Sequence, residues 1–216
     1  MLIIFDLDDT LLDTSGFITP FKMKECLKRL IEDGAKVSDF DQAYSELLAL
    51  NNASYRSKDA VLFLASKLGC TSPARALAEL TSPLPSGFAI PTTPHAKDVL
   101  SYFSPKYLLA IVTGGSPSFQ LEKMEKAGLD TSIFSKIAIP EDSVKKPFYE
   151  EIAKEFSIKP DKIWVCGDRV EMDLAPAREL GFKTIHMKWG RGKTTKSADW
   201  IDYSISSLSE LKGIIR

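Results

Sequence analysis

Short, continuously apolar runs punctuate the chain, and each gives way to polar residues. Leu2-Ile3-Ile4-Phe5 is too short and too uniformly apolar for an amphipathic helix. It predicts a strand buried on both faces of a parallel sheet. The pattern recurs at Leu108–Val112 and Ile163–Cys166, and strand-like segments cover Lys136–Ile139 and Phe182–Met187. Between and after them, helical periodicity runs over Ser116–Ala127, Phe148–Phe156, Val170–Leu180 and Ser207–Ile215, with Gly128 and Gly181 as stops. Strand and helix periods in alternation predict an α/β fold, a doubly wound, Rossmann-like parallel sheet.

From Asp13 to Pro94 the pattern is different. Thr19-Pro20 starts a helix with Leu27, Leu30 and Ile31 on one face, closed by Gly34. Ser38, Ser57 and Ser72-Pro73 open three more, carrying Phe40, Tyr44, Leu47 and Leu48, then Val61, Leu62, Leu64 and Leu68, then Leu77 and Leu80. Four short amphipathic helices predict a small bundle. The boundaries expected are 1–13 with 94–216 for the core and 14–93 for the helical insert, including a return through Pro83, Pro85, Pro91 and Pro94. Such flanks suit a hinged cap; a helical subdomain fixed in place fits the same pattern.

The ends of the apolar runs carry the candidate chemistry. Leu2–Phe5 enters Asp6-Leu7-Asp8-Asp9-Thr10. Strand side chains alternate, so Asp6 and Asp8 share one side where the chain leaves the sheet. Two such carboxylates repel unless a cation lies nearby, and hard oxygen ligands in an open site favour Mg²⁺. A turn or helix-capping cluster is the alternative. Leu108–Val112 ends in Thr113-Gly114-Gly115-Ser116, whose hydroxyl and backbone amides suit phosphate oxygens. Lys145-Lys146-Pro147 opens a helix, and Ile163–Cys166 runs into Gly167-Asp168, with Asp173 five residues later.

In this order the chain resembles the haloacid dehalogenase superfamily of phosphatases, from residue 1 to about Gly190. Asp6-Leu7-Asp8-Asp9-Thr10 is similar to its first motif, Thr113-Gly114 to its second, Lys146-Pro147 to its third, and Gly167-Asp168 through Asp173 to its fourth. The resemblance implies a Mg²⁺-dependent phosphatase of small phosphomonoesters with a cap inserted between the first and second motifs. Asp6 would be the nucleophile, forming an aspartyl-phosphate. Asp8 would be the general acid and then the base. Mg²⁺ would bind the Asp6 carboxylate, the Asp8 backbone carbonyl and the Asp168 carboxylate. Thr113, the Gly114 amide and Lys146 would hold phosphate oxygens, Lys146 being favoured over the adjacent Lys145 because the family's motif places its lysine directly before proline, and Asp173 would orient Lys146 or a metal-bound water. The family's dehalogenases lack an aspartate at the second carboxylate position, so Asp8 favours phosphoryl transfer. Phosphoglycolate-like acids, sugar phosphates and nucleoside monophosphates remain open as substrates. The alternatives are a phosphomutase of the same family and a non-catalytic binding or regulatory protein on the same fold; the second is disfavoured because no motif residue is missing.

Composition narrows the setting. A formal charge of -1, with no basic stripe, gives no case for nucleic acid or anionic membranes. Cys26, Cys70 and Cys166 at unrelated spacings argue against disulfides or zinc and for a reducing cytoplasm. The apolar start is too short for a signal peptide, and no run is long enough to span a bilayer. His95 and His186 have no nucleophile partner of the triad type. Trp189-Gly190-Arg191-Gly192-Lys193 reads as a solvated basic loop, with contact to substrate or a partner as the other option. Arg56 is a candidate contact to an anionic substrate group, and Phe17, Phe21 and Tyr55 are candidates for a specificity pocket or the insert's core.

Overall fold

Strand β1 (Leu2–Phe5) is buried throughout and lies inside a six-stranded sheet. The others are β2 (Leu108–Val112), β3 (Lys136–Ala138), β4 (Ile163–Gly167), β5 (Lys183–Met187) and β6 (Tyr203–Ile205). The order is β3-β2-β1-β4-β5-β6, every pair is parallel, and Phe5 stands opposite Ile111 on one side and Cys166 on the other. The computed structural model describes residues 1–216. It divides into two compact units, Met1–Ser15 with Pro85–Arg216, and Gly16–Leu84.

In the first unit the chain moves outward from β1 through β2 to β3, then returns to the other side of β1 for β4, β5 and β6. The winding direction therefore reverses beside β1, which opens a crevice beyond the carboxyl ends of β1, β2 and β4. One sheet face buries Leu2, Ile4, Ala110, Val112 and Val165 against Tyr149, Ile152, Leu174 and Ala177. This is the period of two expected of strands with both faces covered.

The second unit contains helices α1 (Thr19–Glu32), α2 (Phe40–Ala53), α3 (Ser57–Lys67) and α4 (Ala74–Glu79). Met23, Leu27, Leu30, Leu47, Val61, Leu64 and Ala76 form its core. The N-cap of α2 is Asp39, one residue beyond the expected Ser38, because the Asp39 carboxylate accepts the Gln42 N–H at 3.0 Å. The expected boundary at residue 93 is corrected. The return belongs to the first unit from Pro85, tied there by bonds of Thr93 N–H to Leu11 O at 2.9 Å and of Asp13 N–H to Pro91 O at 2.9 Å.

The first unit also contains α5 (Ala96–Phe103), α6 (Pro117–Lys126), α7 (Lys146–Glu155), α8 (Ala175–Glu179) and α9 (Leu211–Ile214). The helix expected over Val170–Leu180 begins as a widened π turn, Val170–Leu174, before α8. That turn carries Asp173, and π turns recur where a side chain must be aimed at a site. No helix is long and apolar enough to cross a membrane.

Candidate active site

The Asp6 N–H bonds to the Cys166 carbonyl at 2.9 Å, extending the β1–β4 ladder by one residue before the chain turns away. Asp168 follows the last residue of β4 in the same way. With Asp173 on the π turn, these residues bring three buried carboxylates together, one oxygen of each within 4.8 Å of the others. Gly167 makes the approach possible. A Cβ there would fall 2.5 Å from Asp173 Oδ2 and 2.6 Å from Asp173 Cβ.

Lys145, the residue before α7, reaches into this cluster. Its ammonium donates to Asp6 Oδ1 at 2.5 Å and to Asp173 Oδ1 at 2.6 Å, and its side chain is 3% exposed. The other Asp173 oxygen accepts the Arg169 N–H at 2.9 Å. Lys146, selected from the sequence as the site lysine, lies elsewhere: its ammonium donates to Glu179 at 2.7 Å on the surface. Adjacent residues entering a helix differ by about 100° in direction, so only one of the pair can point inward. The inward residue is Lys145, and Asp173 orients it rather than Lys146.

Burial pushes the Asp6 carboxyl up to about 7, Lys145 opposes this, and Asp173 and Asp8 add to the rise. Asp168 is held well above its usual range by burial and then by Asp173, Asp6 and Asp9. Burial disfavours the Lys145 ammonium, yet Asp173 and Asp6 more than offset it and hold its pKa well above the ordinary lysine value. Three clustered carboxylates thus face one clustered ammonium. The deficit is the charge of a divalent cation, and an all-oxygen donor set suits a hard one.

Asp8 has a separate environment. Its carboxylate accepts from Lys123 Nζ at 2.5 and 2.6 Å, from Thr14 Oγ1 at 2.5 Å and from Gln120 Nε2 at 3.1 Å. Burial raises its pKa, but the Lys123 ammonium with the Lys123, Thr14 and Gln120 hydrogen bonds brings it below the usual carboxylate value. Asp9, at φ 57°, accepts from Ser15 N–H at 2.8 Å and from the Ser15 hydroxyl, which fixes the turn after β1. Thr113 follows β2 and is 1% exposed. Its Oγ1 accepts from Gln120 Nε2 at 2.7 Å, as does Gly114 O at 2.8 Å.

The Trp189–Lys193 segment corrects the expectation of a solvated loop. The Trp189 indole donates to Asp13 at 3.0 Å, Arg191 experiences the charges of Asp168, Asp9 and Asp8, and Gly192 is buried. His186 also lies beneath the site, with Nε2 at 3.1 Å from Asp168 O and Nδ1 at 2.8 Å from Ser197 Oγ. A Cβ on Gly192 would lie 2.4 Å from Met187 O and 3.0 Å from Asp168 O, both backbone atoms. Gly192→Ala is therefore expected to destabilise the chain by about 1–3 kcal/mol through overpacking. A thermal melt would show this as a drop of several degrees, and an unchanged midpoint would show that the loop yields freely.

Arg56 lies in the other unit, at the N-cap of α3, with its guanidinium 5.8 Å from the Tyr55 ring centroid. Phe17 and Tyr55 are exposed. Lys145 was passed over in favour of its neighbour Lys146, and Lys123 and Gln120 were not singled out from the sequence. The last two carried a faint signal: they fall on the same buried face of α6 as Phe119 and Met124.

A family pattern described as haloacid dehalogenase-like hydrolase matches residues 1–181. A glyceraldehyde 3-phosphate phosphatase of Pyrococcus furiosus is 30% identical, covering 99% of this chain and 92% of that protein. The protein of the same description from Methanocaldococcus jannaschii is 28% identical, with 99% and 96% covered. Among solved structures, the HAD-hydrolase YfnB of Bacillus subtilis bound to magnesium superposes with a TM-score of 0.69 at 20% identity, over 99% of this chain and 97% of that one. A HAD phosphatase from Thermococcus onnurineus gives a TM-score of 0.66 at 19% identity, over 99% and 97%.

Proposed function

Because the chain belongs to the haloacid dehalogenase-like hydrolases and hydrolyses small phosphate esters, we propose that Asp6 is the nucleophile of a Mg²⁺-dependent phosphomonoesterase. The observation that carries this is the cluster of Asp6, Asp168 and Asp173 around Lys145 at the ends of β1 and β4. The Asp6 carboxylate attacks phosphorus, the bond to the leaving oxygen breaks, and Asp8 gives that oxygen a proton. Asp8 then takes a proton from water as the water oxygen attacks phosphorus and releases Asp6. The resting chain holds Asp8 in the base form used by the second step. A negatively charged phosphoryl group beside it favours the protonated form used by the first. Lys145, Thr113 Oγ1 and the Gly114 N–H hold the phosphoryl oxygens, and Asp173 holds Lys145.

The Asp6 and Asp168 carboxylates and the Asp8 carbonyl are the proposed Mg²⁺ ligands. When bound, the ion offsets the charge of the phosphoryl group. The relatives' shared description supports glyceraldehyde 3-phosphate, or a similar small sugar phosphate, as substrate. The three free, buried cysteines suit a reducing cytoplasm. Phosphate release from a panel of small phosphomonoesters, with Mg²⁺ or with a chelator, tests the assignment. Metal-dependent release with triose phosphates preferred is expected; no release from any ester would refute it.

The metal also has a signature in stability. Without it, folded Asp6 titrates near 7 and Asp168 and Asp9 titrate above the usual carboxylate value. Unfolded carboxylates ionise near about 4, so between about 4 and 7 the folded chain binds more protons and loses stability as pH rises. His186, lowered from 6.5 chiefly by burial, acts in the opposite direction, as one group against three. The chelated protein should therefore melt at lower temperature at pH 7 than at pH 5, and Mg²⁺ should restore it at pH 7 with little effect at pH 5. A chelated protein that becomes more stable over this range would contradict the charge-deficit account.

A further inference from the structure

Helix α6 buries two polar side chains, Gln120 at 2% and Lys123 at 4% exposure, on the face that also buries Phe119 and Met124. A buried ammonium is costly unless it is paired, and the partner of Lys123 is Asp8, with one bond to each carboxylate oxygen at 2.5 and 2.6 Å. Gln120 Nε2 stands 3.1 Å from Asp8 Oδ2, 2.7 Å from Thr113 Oγ1 and 2.8 Å from Gly114 O. Three oxygen atoms converge on that nitrogen, which fixes the orientation of the amide. The same orientation leaves Gln120 Oε1 buried with no hydrogen-bond partner. A buried orphan of this kind carries a desolvation penalty, so the nitrogen side of the amide must be worth more than the loss on the oxygen side.

We infer that Gln120 and Lys123 are the positioning residues of Asp8, a clamp that sets its carboxylate at a fixed distance from the phosphate-binding turn at Thr113-Gly114. The two residues lie three apart on a rigid helix, as i, i+3 neighbours on one face. Gln120 spans the gap between the acid–base carboxylate and the turn, and Lys123 holds both carboxylate oxygens so that the carboxylate cannot rotate away. The inference rests on the phosphomonoesterase reading, since it assigns Asp8 the proton transfer to the leaving oxygen.

The clamp has a consequence that a purely structural role lacks. An alkoxide leaves slowly without a proton, whereas p-nitrophenolate leaves without one. Disturbing Asp8 therefore penalises an alkyl ester and largely spares the aryl ester in kcat/KM, which reports steps up to formation of the phosphoenzyme. Lys123→Met keeps an unbranched apolar stem and removes the ammonium, which lies 5.3 Å from the Phe119 ring centroid. With Mg²⁺ present, this variant is expected to lose roughly 10²-fold in kcat/KM on glycerol phosphate but only about 3-fold or less on p-nitrophenyl phosphate. Lys123→Arg is expected to recover part of the alkyl-ester loss. Gln120→Met, which removes no charge, is expected to show the same pattern at a smaller size, and it decides the question if Lys123→Met does not fold. Losses of equal size on both esters, or no loss on either, would overturn the clamp. Failure of the wild type to hydrolyse both esters would instead overturn the reading beneath it.

Discussion

Asp6→Asn is expected to reduce phosphate release on the order of 10⁴-fold or more, as removal of a nucleophile does in enzymes that form a covalent intermediate. The substitution keeps the shape of a buried side chain, and its amide oxygen can still accept from Lys145. It also removes a negative charge from a cluster that holds too many. The folded state should therefore survive, with a melting midpoint at or above that of the chelated wild type. Loss of turnover in a well-folded variant separates a catalytic Asp6 from a structural one. Asp8→Asn provides the companion result: turnover nearly as low, but with the phosphoenzyme accumulating because no base activates water. Full activity in either variant would sink the mechanism.

The lysine pair gives the second large effect, through a contrast between neighbours. Lys145→Ala removes the ammonium that bridges Asp6 and Asp173 and leaves both carboxylates buried without it. Breaking a buried pair by removing one partner costs about 3–5 kcal/mol. The same ammonium is the proposed donor to the phosphoryl oxygens, so activity should fall by about 10²–10³-fold as well. Lys146→Ala removes only an exposed bridge to Glu179, and solvent and salt screen a surface pair of this kind so that it contributes little. Its activity and melting midpoint should stay near wild type. Thermal melting and phosphate release on the two variants side by side measure both effects. The reverse ranking would return the site role to Lys146.

The lysine pair also shows where the sequence stops being legible. The motif spacing brought the right segment to the site but could not choose between Lys145 and Lys146, because that choice depends on the phase at which α7 begins. The sheet was readable where strands were buried on both faces, as at Leu2–Phe5 and Leu108–Val112. β6 escaped notice because Tyr203-Ser204-Ile205 is short and two of its residues are exposed. α5 escaped because it is only two turns long and follows directly on a proline-rich return, although Ala96, Val99, Leu100 and Phe103 carry helical spacing. Asp6, Asp8, Thr113 and Asp168 were legible because each directly follows or closely trails an apolar strand. Lys123 and Gln120 were not, because a charged and an amide residue within a helix read as solvent-facing unless the buried face is already known. The Trp189–Lys193 loop was misread for a related reason: its basic residues suggest solvent, while its glycines are what allow close approach to Asp9 and Asp168.

Catalysis by Asp6 requires that the phosphoryl group pass through its carboxylate. The most direct measurement is to quench the Mg²⁺-loaded protein with acid during turnover of a small phosphomonoester and map the phosphorylated residue by mass spectrometry. A phosphoryl group on Asp6 is expected, increased in Asp8→Asn and absent from Asp6→Asn. Phosphate release that proceeds with Asp6 unmodified, and continues in Asp6→Asn, would contradict it.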